Sequence, residues 1–267
     1  MMRLSLMLSG FLSLGVLVCS VDGGAGKSAA WKPFLPDDAY KELTTRSIGV
    51  IEEIAKAPGK NADDKIEVEA AILAAYTLSS KNAKEDAVST LRGAALQAVQ
   101  AARKGNLKKL TAFGKSALTA PKAPAEVEDF TTYLHATEPM MKMFLSKAKG
   151  GEGIHADLQY QVKLKNLNGI EALLSSLAGK KLSDENLAKV SKELPLLGYR
   201  LAAVGSITHE LAPKKDVAKW REYSATMRDE AIKLAEAAGK KNSDGVLKAA
   251  TALENSCIEC HSAFKNK

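Results

Sequence analysis

Aromatic residues are scarce in this chain, at 5% of the sequence, whereas alanine, leucine and lysine are abundant. Aromatic residues favour β-strands, and the three abundant types are strong helix formers. No convincing strand pattern is present, because helical periodicity runs through almost all of the sequence after Pro36. The composition therefore predicts an all-α protein, and 267 residues suffice for one large or two small domains.

The chain also lacks an apolar run that would span a bilayer comfortably. The longest run, residues 4–18, follows Arg3 and is typical of a secretory leader. We therefore predict a signal peptide over residues 1–20, a periplasmic mature protein and no transmembrane segment in the mature chain. Cys19 lies where a lipoprotein leader carries its modified cysteine, but residues 15–18 lack the usual small residues, so a lipid anchor is the weaker alternative.

No basic arm accompanies the formal net charge of +7. The lysines are scattered along the helical segments and mixed with glutamate and aspartate. Proteins that bind nucleic acid usually gather their positive charge on one face or segment. The pattern and the predicted export together predict no nucleic-acid partner.

Amphipathic periodicity predicts four helices in the later part of the chain. They cover residues 156–177, 184–211, 216–240 and 245–264, and Pro195 should kink the second of them. Short polar turns join these segments. This pattern predicts an antiparallel four-helix bundle.

The earlier part of the chain repeats this plan. Residues 40–54 resemble residues 160–174, and residues 95–102 resemble residues 231–238. The two matches have different offsets, so a duplication also requires a change of length between them. A duplicated helical unit is the simplest account of both matches.

We therefore divide the chain into a first half, residues 36–147, and a second half, residues 155–267. Residues 150–153, which are rich in glycine, are the predicted boundary. The predicted architecture is two antiparallel four-helix bundles in tandem. Residues 126–147 add a helix to the first half, with a kink at Pro139.

The last predicted helix carries the motif Cys257-Ile258-Glu259-Cys260-His261. Two thiols one helical turn apart, followed directly by a histidine, are typical of covalent haem c attachment: each thiol adds to one vinyl group, and the histidine binds iron. A redox dithiol normally opens a helix after a strand, and a zinc site would need a fourth ligand and an awkward Cys-His pair. The motif predicts one haem c per chain, bound by Cys257 and Cys260, with His261 as the axial iron ligand.

The first half has no counterpart of this motif. Aligned by the later match, Pro121 and Pro124 stand where Cys257 and Cys260 stand. Residues 119–125 should form a loop. We therefore expect the first half to carry no haem.

Residues 216–265, with residues 234–238 in the third helix and the haem motif in the fourth, resemble the cytochromes c-prime. These are four-helix bundles with the haem motif at the C-terminus, and the resemblance covers roughly residues 155–267. It implies that His261 is the proximal ligand and that Lys265 is a basic residue near the proximal haem face. Family members frequently pair through their first two helices, which implies that the first half takes the partner's place in a pseudo-dimer.

The same resemblance also implies what lies on the opposite, distal face of the iron. Family members are either five-coordinate with an apolar distal face or six-coordinate with a methionine from the first helix. Residues 155–177 contain no methionine, and Leu164 and Leu167 would form an apolar wall. We therefore expect a five-coordinate iron. The alternative is a six-coordinate electron carrier that uses His155 or a methionine within residues 140–143, although those methionines are also typical of core packing.

Two activities fit this haem: one-electron transfer with a redox partner protein, and binding of a small diatomic gas such as nitric oxide or carbon monoxide. Catalysis is not expected, because a haem peroxidase or reductase uses distal histidine or arginine. The predicted distal helix offers only Lys163 and Lys165 as charged candidates. A haem-based sensor or scaffold, whose first half binds a partner, is the remaining alternative.

Overall fold

The computed structural model describes residues 31–123, 138–155, 158 and 169–264. In this part the chain is all-helical, which confirms the predicted fold class. No helix in these ranges is both long and apolar enough to cross a membrane. Within the described ranges, 3-10 segments lie at Leu107–Leu110 and Lys147–Lys149. The α-helices of these ranges are α1 (Asp37–Lys56), α2 (Ala62–Ser79), α3 (Asp86–Arg103), α4 (Phe113–Ala117), α5 (Glu138–Lys142), α6 (Ile170–Gly179), α7 (Asp184–Val190), α8 (Glu193–Glu210), α9 (Val217–Gly239) and α10 (Ser243–Phe264).

The helices pack mainly within their own half. In the first half α2 packs between α1 and α3, and in the second half α9 packs between α8 and α10, with α6 against α10. The two halves meet chiefly where α2 packs against α8. Along that contact residues 70–77 and 201–208 are buried without interruption. The buried side chains of the described residues therefore form one continuous core.

Two helices occupy the stretch for which the sequence predicts one kinked helix. The prediction for residues 184–211 is wrong, because α7 and α8 are separated at residues 191–192. Ser183 caps α7 by accepting the Asn186 N–H at 3.3 Å. Pro195 lies in the first turn of α8, where its missing N–H needs no partner, so it starts a helix instead of bending one.

The segment that joins the halves is mostly irregular. The predicted helix over residues 126–147 does not reach its predicted end, because α5 ends at Lys142, and Pro139 lies within α5. Residues 126–137 lie outside the described residues. Gly150 and Gly153 have φ angles of +88° and +71°, a conformation that glycine adopts at little cost.

Close backbone contact fixes α8 against α9. A Cβ added at Gly198 would lie 2.8 Å from the Ala231 carbonyl oxygen, and one added at Gly205 would lie 2.8 Å from the Arg228 backbone nitrogen. No larger residue would fit at either position without separating the helices. These contacts hold the middle of α9 close against α8.

Candidate haem attachment site

The haem motif lies in regular helix at the end of α10. The helix begins at Ser243, two residues before the predicted start, and Asn242 accepts the Gly245 N–H at 3.0 Å. Its buried face packs against α6 and α9. The α-helix continues through the motif to Phe264, so the two thiols are separated by about one turn. The buried residues of this face are Val246, Ala249, Ala250, Leu253 and Ser256.

Cys257 and Cys260 lie at the edge of the buried face. Both are half-buried free thiols, whereas His261 is exposed and Ile258 is 56% exposed. Ser256 takes the fully buried position instead, and its hydroxyl donates to the Leu253 carbonyl at 2.7 Å. Both thiols are therefore accessible only in part, at the border between the buried and the exposed face of α10.

Burial raises the pKa of the Cys257 thiol to about 11, against a smaller opposing effect of the Ser256 hydroxyl. Burial also raises the pKa of the Cys260 thiol. Both groups are therefore protonated at neutral pH. Redox-active and metal-binding cysteines usually have a lowered pKa, so this environment does not favour a reactive dithiol.

An aromatic cluster closes the end of the second half beside the motif. The rings of Trp220 and Phe264 meet edge to face, with centroids 5.1 Å apart at 85°, and Tyr223 lies 6.5 Å from Phe264 at 87°. Trp220 Nε1 donates to the Thr208 carbonyl at 2.5 Å. This cluster ties the end of α8, the start of α9 and the last turn of α10 together.

Helix α6 approaches the motif in antiparallel register. Thr251 Oγ1 donates to the Ala178 carbonyl at 3.3 Å, and one turn later Ser175 Oγ donates to the Glu254 carboxylate. Continued by one or two further turns, this register brings the start of α6 level with Cys260.

The structure brings three of the predicted site residues together, because Cys257, Cys260 and His261 follow one another in the last turns of α10. Leu164, Leu167 and Lys265 lie outside the described residues. Among the residues that are described, no group of three or more histidine, cysteine, aspartate or glutamate side chains is arranged for a metal ion.

His155 and the methionines lie in other surroundings. His155 Nδ1 is 3.8 Å from the Glu193 carboxylate, at a cavity of about 590 Å³ between the halves. Neither motif cysteine lines that cavity. Met140 and Met143 are 2% and 3% exposed, which confirms the prediction that they pack in the core.

The aromatic cluster is the part of the site that sequence reasoning missed. Trp220 and Tyr223 belong to the apolar stripe of one predicted helix, and Phe264 belongs to the stripe of the next. Such a stripe by itself predicts only core packing. The available signal was their position, since the start of α9 and the end of α10 must be adjacent in an antiparallel pair.

Comparison with known proteins gives no relative. No family model matches the chain, no curated protein matches it, and no solved structure matches it. The function must therefore be argued from the motif and its geometry.

Proposed function

We propose that this protein is an exported, periplasmic c-type cytochrome with a single haem. Cys257 and Cys260 hold the haem through thioether bonds, and His261 is its proximal iron ligand. When bound, the haem supplies an iron that exchanges one electron or binds a neutral diatomic gas. The protein is not an enzyme in this proposal, and the two activities share one iron.

The Cys257-to-His261 motif in the last turns of α10 is the observation that carries this proposal. Its thiols lie one helical turn apart and are half-buried. These properties suit thiols that add to two vinyl groups on one side of a porphyrin. The exposed position of His261 leaves its ring free to turn towards that porphyrin.

The residue types around the motif support a five-coordinate iron. The register of α6 against α10 brings the start of α6 level with Cys260. Leu164 and Leu167 precede α6 in the sequence, and neither side chain can coordinate iron. In this proposal they form the apolar distal wall, and Lys265 lies near the proximal face. Trp220 and Phe264 add an apolar edge beside Cys260.

Tandem four-helix bundles complete the proposal. The first half binds no haem and packs on the second half through α2 and α8, so that the chain is a pseudo-dimer. The packing of helices within each half supports this division. The signal peptide over residues 1–20 directs the chain to the compartment where haem c is attached.

The decisive experiment expresses the full chain with a c-type maturation system and records intact mass and optical spectra. We expect one covalent haem per chain. The ferrous spectrum should be high-spin and should shift on addition of carbon monoxide. Two haems, or none, would contradict the attachment proposal, and a sharp low-spin ferrous spectrum unmoved by carbon monoxide would replace it with a six-coordinate electron carrier.

Replacement of His261 separates ligation from attachment. His261→Ala should keep the covalent haem, because both thiols remain, but the spectrum should lose its proximal histidine signature. Exogenous imidazole should restore that signature. His155→Ala is the matched control, since His155 lies against Glu193 and should leave both spectra unchanged.

A further inference from the structure

Helices α2 and α8 occupy equivalent places in the two halves. Both contain 18 residues, and each residue of α2 has a counterpart 131 positions later in α8. The Thr77 hydroxyl donates to the Ala74 carbonyl at 2.6 Å, and the Thr208 hydroxyl donates to the Gly205 carbonyl at 3.0 Å. These two bonds are related by the same offset of 131. Residues 131 positions apart therefore share a local hydrogen bond as well as the same place in helices of equal length.

Glu69 and Arg200 are also 131 positions apart, and they contact each other directly. Arg200 Nη1 donates to Glu69 Oε1 at 3.1 Å, and Nη2 donates to Oε2 at 2.5 Å. In a two-fold arrangement a residue touches its own counterpart only where the axis passes. This ion pair is therefore the contact that an internal two-fold axis between α2 and α8 would produce.

The pair is buried and has additional partners. The Glu69 and Arg200 side chains are 5% and 15% exposed, respectively. Ser47 Oγ donates to Glu69, and Arg200 also donates to the Glu152 carboxylate at 2.6 Å. Burial lowers the pKa of Arg200, but Glu152 and Glu69 outweigh that effect and raise it above its ordinary value. Removal of Arg200 would leave Glu69 without an opposite charge, and reversal of either partner would place like charges together in a largely buried position.

We propose that the opposite charges of Glu69 and Arg200 select the pairing of unlike halves within one chain. Two copies of the first half joined by this face would bring Glu69 against Glu69. Two copies of the second half would bring Arg200 against Arg200. Either homotypic contact places like charges in a buried position, which is strongly unfavourable. The face of α8 thus fits one partner, the α2 face of the same chain, and the haem half is kept apart from a second haem half.

This inference rests on the tandem organisation proposed above, and it is tested by charge reversal in the full mature chain. Glu152→Gln serves as the parent, because it removes the third charged group from the contact. Glu69→Arg and Arg200→Glu are introduced separately and together. Hydrogen exchange measured by mass spectrometry reports on α2 and α8 individually, and it does so whether or not haem is attached.

Each single reversal should speed amide exchange at the facing surfaces of both α2 and α8 by about tenfold or more. It should also lower the urea midpoint by about 1 M. The double variant recreates an opposite-charge pair on the axis, so it should recover most of the parent's protection. Recovery by the double variant when a single variant does not fold at all counts as the same result.

Glu67→Arg is the matched control on the same helix. Glu67 pairs with Arg103 of α3 at 2.7 Å, so its reversal also makes an Arg–Arg contact, but within the first half. We expect it to alter α2 and α3 and to leave α8 unchanged. The inference is overturned if Glu69→Arg leaves α8 protected, if the double variant is no better than the worse single, or if the control exposes α8 equally. Haem content, measured separately, tests the proposed function and does not enter this result.

Discussion

The two halves end in opposite ways. In the first half the chain leaves the helical path, and residues 119–123 fold over α3. Arg92 is 1% exposed beneath them and donates to Thr77 Oγ1 at 3.1 Å, to the Ala123 carbonyl at 3.2 Å and to the Ala83 carbonyl. In the second half α10 continues through the haem motif and leaves its thiols half-buried. At the equivalent positions the first half has a loop held by a buried arginine, and the second half has a regular helix that carries two half-buried thiols.

The loop of the first half follows a helix that has already ended. Helix α4 ends at Ala117, and Pro121, which stands where the alignment has Cys257, lacks the backbone donor with which a helix could continue. The Pro121 carbonyl oxygen instead lies over Gly93, only 1.8 Å from where a Cβ at that position would be. A glycine in α3 and a proline in the loop therefore replace the thiols and helix of the second half.

The largest effect should come from the motif itself. Cys257→Ala or Cys260→Ala removes one thioether bond, so covalent haem should fall steeply and be lost in the double variant. Intact mass and the haem absorbance of the denatured protein measure this. Ser262→Ala, on the exposed side of the same helix, should keep full haem content. Full attachment in the double cysteine variant would show that the motif does not hold the haem.

The next effect concerns the closed end. Arg92→Met should cost about 2–4 kcal/mol of unfolding free energy, because the carbonyls of Ala83 and Ala123 lose their buried donor. Urea unfolding followed by circular dichroism measures it. Arg103→Met, which removes the partly exposed pair with Glu67, should cost about 1 kcal/mol or less. Equal costs would mean that Arg92 does not close the first half.

A smaller effect is expected at the crossing of loop and helix. Gly93→Ala should destabilise the protein by about 1–3 kcal/mol, because the methyl group would displace the loop at Pro121. Gly49→Ala in α1 is the matched control, since no atom lies within 4 Å of its added Cβ. That control should stabilise the protein by about 0.5–1 kcal/mol. Thermal unfolding of both variants shows whether the loop is held where the structure has it.

The smallest effect tests the second ion pair between the halves through pH. Hydrogen bonding from Arg46 lowers the pKa of Glu193, so the ionised carboxylate stabilises the folded state above its unfolded pKa, and this contribution is lost as the pH falls through the folded pKa. Glu193→Gln should therefore cost about 1–2 kcal/mol at pH 7 and progressively less below about pH 4.5. Urea midpoints from pH 7 to pH 3 measure the difference.

The pH dependence of Glu152 has the opposite sign, because burial raises the pKa of its carboxyl group. Its stabilising contribution is present at low pH and is lost as the pH rises. The unsubstituted protein and the Glu193→Gln variant both keep Glu152. The difference between their curves of urea midpoint against pH therefore reports on Glu193 alone. A difference that does not change with pH would show that the Arg46–Glu193 pair contributes through packing alone.

Much of the fold could be predicted because helix periodicity is a local property. The helix predicted over residues 216–240 is found as Val217–Gly239, and the one predicted over residues 245–264 is described as Ser243–Phe264. The prediction at Pro195 was wrong, because a proline in a helical pattern can either kink one helix or lie in the first turn of a new one. Which outcome occurs depends on whether a turn precedes the proline, because only the backbone N–H groups at the start of a helix lack a partner within it.

The sequence alone determined the helical class, and it carries the predictions of two similar halves and of haem attachment at the C-terminal motif, because each depends on residue type at fixed spacing. The tertiary structure decided which distant side chains meet. Arg92 beneath the loop, Trp220 beside Phe264, and Glu69 against Arg200 are contacts between helices, and no spacing along the chain encodes them. They depend on how helices cross, which is fixed by packing of the whole core and not by local sequence.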